Sequence, residues 1–219
     1  MEIKEILSKC DHTLLAQGAT WSEIKAICDD GIKYGTASVC IPASHVKAAK
    51  EYVGDKLQIC TVIGFPLGQN TTKVKVAETE DAYAMGCDEF DMVINVGRLK
   101  DGEEDYVRNE IAAVVAAAKG KTVKVIIETG LLTDEEKATA TRLSCEAGAH
   151  FVKTCTGVSQ GVATVADIKL MKANLTGAVE LKASSGIRTY EDAKALIDAG
   201  ATRLGTSAGI AIITGAPKN

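Results

Sequence analysis

The sequence contains little of what membrane or nucleic-acid-binding proteins depend on. Only three of its 219 residues are proline. No apolar run approaches the ~18 residues that a membrane helix needs, and no proline- or serine-rich linker interrupts the chain. Basic residues number 25 against 29 acidic ones, and a net charge of -4 does not attract a phosphate backbone. We therefore expect neither a membrane nor a nucleic acid as a partner, and residues 1–219 are expected to form a single domain.

Paired cysteines and paired histidines are also missing. The seven cysteines are odd in number, dispersed and never arranged as Cys-x-x-Cys, which argues against a disulfide framework and a zinc site. The histidines, His12, His45 and His150, show no ligand spacing, so we expect no metal. Because the N-terminus lacks a signal-peptide pattern, the reduced cysteines predict a cytoplasmic protein.

What the sequence does contain is a regular alternation of short apolar runs with longer amphipathic segments. This alternation is typical of βα units in a parallel sheet. Eight such units without a linker favour a closed (β/α)₈ barrel. An open doubly wound sheet is the alternative, but it normally uses fewer strands and carries a Gly-x-Gly-x-x-Gly turn, which the first turn lacks. The predicted strands are 11–15, 36–41, 57–63, 90–95, 123–128, 150–155, 179–183 and 203–206.

Local signals also mark several of the intervening helices. Thr20 with Glu23, and Thr133 with Glu136, have the spacing of a capping box, in which each side chain bonds a backbone amide at the helix start. Segment 103–119 carries apolar residues at three- and four-residue steps, which predicts a helix with one buried face.

Three charged residues lie inside otherwise apolar predicted strands: Asp91 in EFDMVIN, Lys153 in HFVKTCTG and Lys182 in VELKASSG. A buried lysine is costly unless it is paired or neutral. A snorkelling side chain or a structural ion pair would explain one such lysine. Two at similar points of consecutive strands would lie close together, and their repulsion and burial would depress the pKa of one amine. A neutral amine is a nucleophile for carbonyl carbon.

The nearby carboxylates have more than one interpretation. Asp91 either neutralises a lysine or passes protons to and from a carbon acid, and these two roles are compatible. Asp11, in DHTLL, either orders the same network or acts as a structural cap.

Small residues follow the last three predicted strands, at 156–161, 183–186 and 205–209. Loops after strands seven and eight of such barrels often bind phosphate, because small residues let backbone amides approach an anion. Tight turns are the alternative explanation. We expect an anion site at these loops.

These residues lie in motifs that resemble those of the deoxyribose-phosphate aldolases, a family of class I aldolases with a (β/α)₈ barrel. The motifs DHTLL, VCIP, VIGFPLG, DMVIN, KVIIET, FVKTCTG, ATVADIKLM, KASSGIRT and RLGTS occur in that order over nearly the whole chain. Together they are specific to the family, whereas each fragment alone is not.

The resemblance implies reversible cleavage of 2-deoxy-D-ribose 5-phosphate to D-glyceraldehyde 3-phosphate and acetaldehyde, in deoxyribonucleoside catabolism. It implies no metal, no organic cofactor and a homodimer. By the same resemblance, Lys153 forms the Schiff base, Lys182 perturbs the pKa of the nucleophile and transfers protons, and Asp91 is the acid/base residue. The residues implied in phosphate binding are Thr156, Ser185, Gly186, Gly205 and Ser207.

The sequence departs from the family pattern at Cys155, Val162 and Ser185, where serine, glycine and glycine are usual. The side chain of Ser185 would either crowd the phosphate or donate its hydroxyl to it. Two other functions remain open from the residues alone. One is a phosphosugar isomerase or synthase that uses carboxylates, and the other is a non-catalytic phosphosugar binder.

Overall fold

A computed structural model describes residues 1–159 and 161–207. Eight parallel strands form a closed barrel in chain order, and the last strand pairs with the first to close it. The predicted (β/α)₈ barrel is therefore confirmed. The strands are β1 (Cys10–Thr13), β2 (Ser38–Cys40), β3 (Gln58–Ile63), β4 (Glu89–Val93), β5 (Thr122–Ile126), β6 (Phe151–Lys153), β7 (Glu180–Ser184) and β8 (Arg203–Thr206).

Helices connect the strands around the outside of the barrel. In the part of the chain that the structure describes, no helix is both long and apolar enough to cross a membrane. Short 3₁₀ helices follow β2 at Ala43–His45 and β5 at Thr129–Leu131. The α-helices are α1 (Ile3–Leu7), α2 (Trp21–Tyr34), α3 (Val46–Val53), α4 (Thr72–Ala84), α5 (Val96–Lys100), α6 (Glu104–Ala117), α7 (Asp134–Glu146), α8 (Val165–Ala173) and α9 (Tyr190–Ala199).

The two faces of the strands differ in chemistry, because side chains alternate between the barrel interior and the surrounding helices. In β4, Phe90 and Met92 are fully buried members of the apolar core. Between them, Asp91 bonds Lys124 of the neighbouring strand β5 and Lys153 of β6. The apolar core thus lies between barrel and helices, and the charged residues lie within the barrel.

The predicted strand ends differ from the observed ones by no more than two residues. The reason is that backbone hydrogen bonds continue beyond the paired strand residues. Ile41 N donates to Cys60 O at 3.0 Å, and Ile94 N donates to Ile126 O at 3.1 Å. An apolar run therefore extends past the last residue of the regular strand.

The helix signals are confirmed in the structure. Thr20 and Thr133 each form a capping box with the glutamate three residues later. Helix α6 occupies most of the predicted segment 103–119 and buries Val107, Ile111 and Val114. The short α1, which the sequence did not predict, precedes the first strand.

Candidate active site

Asp91 lies at the centre of a buried cluster with the two predicted lysines. Its Oδ2 accepts hydrogen bonds from Lys153 Nζ at 2.7 Å and from Lys182 Nζ at 2.6 Å. The lysines are register partners on the neighbouring strands β6 and β7, so both side chains enter the barrel at the same level. The predicted proximity of the two lysines is confirmed, and one carboxylate oxygen bridges them.

Asp11 belongs to the same network. Its Oδ2 forms an ion pair with Lys182, and its Oδ1 accepts hydrogen bonds from Ser38 Oγ at 2.9 Å and Arg203 Nη1 at 2.7 Å. The side chain is fully buried. Of the two interpretations of Asp11, the structure therefore favours ordering of the network.

Lys124, which the sequence analysis did not single out, connects Asp11 and Asp91 to a third carboxylate, Glu89. Its Nζ lies 2.9 Å from Asp91 Oδ1, 3.3 Å from Asp11 Oδ2 and 2.7 Å from Glu89 Oε2. Glu89 in turn accepts from Arg203 Nη1 at 3.0 Å. We call these seven side chains the charged column; its members are Asp11, Glu89, Asp91, Lys124, Lys153, Lys182 and Arg203.

Within the column, neighbouring opposite charges hold Asp11, Asp91 and Lys182 in the ionised state. Burial alone would raise the pKa of Asp91, but Lys124, Lys153 and Lys182 hold it well below its ordinary value. Lys124 and Lys182 likewise outweigh burial and lower the pKa of Asp11. Burial would lower the pKa of Lys182, but Asp11 and Asp91 raise it above the ordinary lysine value. At neutral pH Lys182 is thus an ammonium and Asp91 a carboxylate.

The barrel interior also brings together atoms of the kind that bind metals. Lys124 Nζ, however, lies 3.3 Å from Cys60 Sγ, 2.9 Å from Asp91 Oδ1 and 2.7 Å from Glu89 Oε2. Its ammonium thus lies beside several of these atoms and repels a second cation. The potential metal-binding atoms belong to two groups of side chains. One group is Cys40, Cys60 and Asp91, and the other is Asp11, Cys60 and Glu89.

The three histidines each contact a different part of the fold. His150 Nδ1 accepts the backbone amide of Val123 at 3.1 Å, at the end of the barrel where the strands begin. His45 lies in a 3₁₀ helix, with Nε2 3.3 Å from Ala19 O. His12 Nε2 lies 4.0 Å from Asp30 Oδ2. The three imidazoles therefore form no common site.

A cavity of about 760 Å³ opens where β6, β7 and β8 end, and Lys153 lies in its wall. Arg188, an exposed residue that the sequence analysis did not assign, also lines this cavity. The predicted positions Gln160, Ala208 and Gly209 fall outside the described residues. All five residues implied in phosphate binding line the cavity: Thr156, Ser185, Gly186, Gly205 and Ser207.

The departure Ser185 lines the cavity, and the departure Val162 lies against the neighbouring Gly186. Ser185 adopts a left-handed backbone conformation with φ 78°, which favours glycine. Its Oγ donates to Gly161 O at 3.2 Å, and its carbonyl accepts from Ala163 N at 3.1 Å. A Cβ at Gly186 would lie 2.7 Å from the Cβ of Val162, so Val162 packs directly over that glycine. The two departures thus connect the loop after β6 to the loop after β7.

Gly205 is required by close packing inside the barrel. A Cβ there would lie 2.8 Å from Ser184 Cβ and 3.1 Å from Lys182 Cε. The absence of a side chain at Gly205 therefore leaves the space that Lys182 occupies. Cys155, the third departure, is fully buried, with Sγ 3.3 Å from Thr129 Oγ1.

The sequence contains signals that could have identified the site residues missed in the sequence analysis. Lys124 lies within the predicted strand 123–128, so the rule that found Lys153 applies to it as well. Glu89 lies one residue before a predicted strand, and Arg203 begins one. Arg188 is part of the motif KASSGIRT. Their partners come from other strands, and the sequence alone does not show which charges meet.

Comparison with known proteins is consistent with this geometry. The sequence profile of a family described as "DeoC/LacD family aldolase" matches residues 6–215. A deoxyribose-phosphate aldolase of Staphylococcus carnosus is 56% identical over 206 residues, which are 94% of this chain and 94% of that protein. A deoxyribose-phosphate aldolase of Dictyoglomus turgidum is 50% identical over 215 residues, 98% of each chain.

Solved structures agree with the sequence comparison. The crystal structure of a putative deoxyribose-phosphate aldolase from Coccidioides immitis superposes with a TM-score of 0.95 at 39% identity, covering 98% of this chain and 87% of that chain. A deoxyribose phosphate aldolase from Aeropyrum pernix, described as tetrameric, gives a TM-score of 0.90 at 28% identity, over 98% of this chain and 92% of that chain.

Proposed function

The chain belongs to the DeoC/LacD family of aldolases, and from this membership we propose that it cleaves 2-deoxy-D-ribose 5-phosphate reversibly, through a Schiff base on Lys153. One observation carries the proposal. Among the described residues, Lys153 is the member of the charged column that lines the cavity. The names of the relatives from Staphylococcus carnosus and Dictyoglomus turgidum support the choice of substrate.

The first step is formation of the imine. The neutral amine of Lys153 attacks C1 of the open-chain sugar, and the resulting carbinolamine loses water to give a protonated imine. Asp91 Oδ2, 2.7 Å from Lys153 Nζ, is close enough to take the proton that the amine gives up. Lys182, which bonds the same oxygen, supplies a positive charge that disfavours a second ammonium at Lys153.

The second step is cleavage of the carbon–carbon bond. The C3 hydroxyl passes its proton through a water molecule to Asp91, and C3 becomes the aldehyde carbon of D-glyceraldehyde 3-phosphate. The electron pair of the C2–C3 bond moves toward the iminium nitrogen and leaves an enamine on Lys153. The iminium thus serves as the electron sink, which is the advantage of covalent catalysis for this reaction.

The third step returns the enzyme to its starting state. A proton delivered to C2 converts the enamine into the imine of acetaldehyde, and water then releases acetaldehyde. We assign this proton transfer to Asp91 and Lys182, acting through a water molecule. The hydrogen bond of 2.6 Å between Lys182 Nζ and Asp91 Oδ2 gives the proton a short path between the two groups.

The phosphate would bind at the rim of the cavity. Arg188 adds a cationic side chain to this rim, and an arginine binds phosphate more strongly than a neutral donor does. Lys153 and these groups share one cavity, so a single extended substrate can reach both. The remaining proposed ligands are Thr156, Ser185, Gly186, Gly205 and Ser207.

Replacement of Lys153 separates this proposal from its alternatives. Lys153→Arg keeps a cation but removes an amine that can form an imine, so we expect ligand binding to persist and aldol cleavage to fall below detection. A coupled assay of D-glyceraldehyde 3-phosphate release and calorimetry with 2-deoxy-D-ribose 5-phosphate measure the two properties. Retained cleavage would contradict the imine mechanism. A non-catalytic binder would show no cleavage in the wild type either, and an isomerase would release no three-carbon product.

The wider setting of the reaction is also a proposal. The free thiols, six of which are buried, suit a reducing compartment and thus the cytoplasm. There the enzyme would act in deoxyribonucleoside catabolism without a metal or organic cofactor. We further propose a homodimer, which gel filtration with light scattering would test.

A further inference from the structure

The charged column runs through the barrel well beyond the atoms that a substrate could touch. At one end, Lys153 lines the cavity where the strands end. At the other end, Arg203 lines a separate cavity with His150 and Thr122, where the strands begin. Contacts of 3.3 Å or less connect the two ends through Asp91, Lys124 and the carboxylates beyond them.

The column holds four cationic side chains against three carboxylates. Lys124 contacts three carboxylates, whereas Lys182 and Arg203 contact two each. Within the described residues, Lys153 is paired only with Asp91, which it shares with two other cations. The column therefore has one cation more than it has carboxylates, and Lys153 is the cation with the fewest carboxylate partners.

We propose that Glu89 and Arg203, which lie remote from the cavity, are positioning residues that set the proton affinity of Lys153 by fixing the net charge of the column. The inference rests on the proposed function, because it assigns a cause to the neutral amine that imine formation requires. Glu89 acts through Lys124, 2.7 Å away, and Arg203 acts through Asp11 and Glu89. Neither residue lines the cavity that contains Lys153.

Other titratable groups lie next to the column, and their charge states also affect its net charge. Cys60 Sγ lies 3.3 Å from Asp91 Oδ1, and burial holds the pKa of this thiol well above its ordinary value, so Cys60 is neutral. A hydrogen bond from Cys60 lowers the pKa of Cys40, and Lys182 and Lys153 lower it further. Cys10 is neutral because burial raises its pKa to about 12. Glu128 is buried at the end of β5 and accepts the Thr156 amide.

The proposal predicts shifts of opposite sign. Glu89→Gln removes a negative charge and leaves the cations in larger excess, so Lys153 loses its proton at lower pH. Arg203→Gln removes a positive charge and allows Lys153 to keep its proton to higher pH. A unit charge about 10 Å away shifts a titration by about one pH unit at an effective dielectric constant of about 20. General destabilisation of the barrel does not produce opposite shifts.

The experiment measures two pH profiles for each variant. One is kcat/KM for cleavage of 2-deoxy-D-ribose 5-phosphate, whose acid limb reports the loss of a proton from the free enzyme. The other is the rate at which acetaldehyde and borohydride label Lys153, determined by peptide mass mapping. Asp88→Asn is the matched control for Glu89→Gln, because Asp88 precedes Glu89 in the chain but bonds Lys50 and Lys121 outside the column.

We expect the midpoint of both profiles to move about one unit down for Glu89→Gln and about one unit up for Arg203→Gln. Arg203→Lys, which restores the charge, should return the midpoint to the wild-type value, and Asp88→Asn should leave it unchanged. If the Cys40 thiol is uncharged, Cys40→Ser should also leave the midpoint unchanged. Equal midpoints in all variants, shifts of the same sign, or a Cys40→Ser shift as large as that of Glu89→Gln would overturn the inference.

The labelling experiment distinguishes a failure of the proposed function from a failure of this inference. If wild-type Lys153 is not labelled at any pH, the imine mechanism is wrong and the inference falls with it. If Lys153 is labelled but its midpoint does not respond to the remote charges, only the inference is overturned. If Arg203→Gln does not fold, Arg203→Met takes its place. The direction of its midpoint shift is then compared with that of Glu89→Gln.

Discussion

A methyl group added at Gly205 should disturb catalysis from inside the barrel without touching any charged atom. In Gly205→Ala, the new Cβ would lie 2.8 Å from Ser184 Cβ and 3.1 Å from Lys182 Cε. Carbon atoms in good contact lie about 3.5–4.0 Å apart, so both neighbours must move by several tenths of an ångström or more. Lys182 Cε lies near the end of a flexible side chain and therefore moves more readily than Ser184 Cβ, which is attached directly to the backbone of β7.

Two magnitudes follow from this clash. Overpacking of a close-packed interior costs about 1–3 kcal/mol of unfolding free energy. Displacing Lys182 lengthens its bonds to Asp11 and Asp91, and a misplacement of about 1 Å in a catalytic site costs on the order of 100-fold in rate. We therefore expect Gly205→Ala to lower kcat for 2-deoxy-D-ribose 5-phosphate cleavage far more than its loss of stability explains.

Urea unfolding and a coupled assay of cleavage measure the two effects. Gly18→Ala is the matched control, because a Cβ at Gly18 meets nothing within 4 Å. The control should keep wild-type rate and lose little stability. If Gly205→Ala matched the control in both measurements, the close packing of Gly205 against Lys182 would not contribute to the site, and our account of the barrel interior would be refuted.

Three further substitutions have definite expected outcomes. Arg188→Met should raise KM for 2-deoxy-D-ribose 5-phosphate about tenfold or more, since a charge-assisted hydrogen bond contributes about 1.5–3 kcal/mol, and an equal effect on unphosphorylated deoxyribose would contradict the phosphate assignment. Lys75→Met should lower the unfolding free energy by about 3–5 kcal/mol in urea, because it leaves Glu110, 2.8 Å from Lys75 Nζ, buried without its cation; a loss below about 1 kcal/mol would contradict this. Ser185→Gly should be about 1 kcal/mol more stable than Ser185→Ala, because both lose the hydroxyl and only glycine relieves the positive φ; equal melting temperatures would show no strain.

The fold could be predicted from the sequence because its signals are local and repeated. Alternating apolar runs marked all eight strands, and the spacing of Thr20 and Thr133 to the following glutamates marked two helix starts. The ends of strands were less accurate, since bonds such as Thr154 N to Lys182 O, 3.1 Å long, continue after the regular pairing stops. The apolar pattern reports burial, and burial extends beyond the strand.

The site could be predicted only in part, because its essential contacts join distant parts of the chain. A charged residue in an apolar strand is visible in the sequence, and this rule found Asp91, Lys153 and Lys182. The rule does not show that Lys182 reaches Asp11, which lies on the other side of the β8 strand in the barrel. Strand register decides which charges meet, so the count of cations and carboxylates in the charged column, including Lys124, needs the structure.

The most direct test of the account is to find which lysine forms an imine. The protein is treated with acetaldehyde and borohydride, which reduces an imine to a stable ethylamine, and the modified residue is identified by peptide mass mapping. We expect one ethyl group on Lys153, with labelling suppressed by added 2-deoxy-D-ribose 5-phosphate. A label on Lys182 alone, or labels scattered over exposed lysines, would contradict the assignment of Lys153 as the nucleophile.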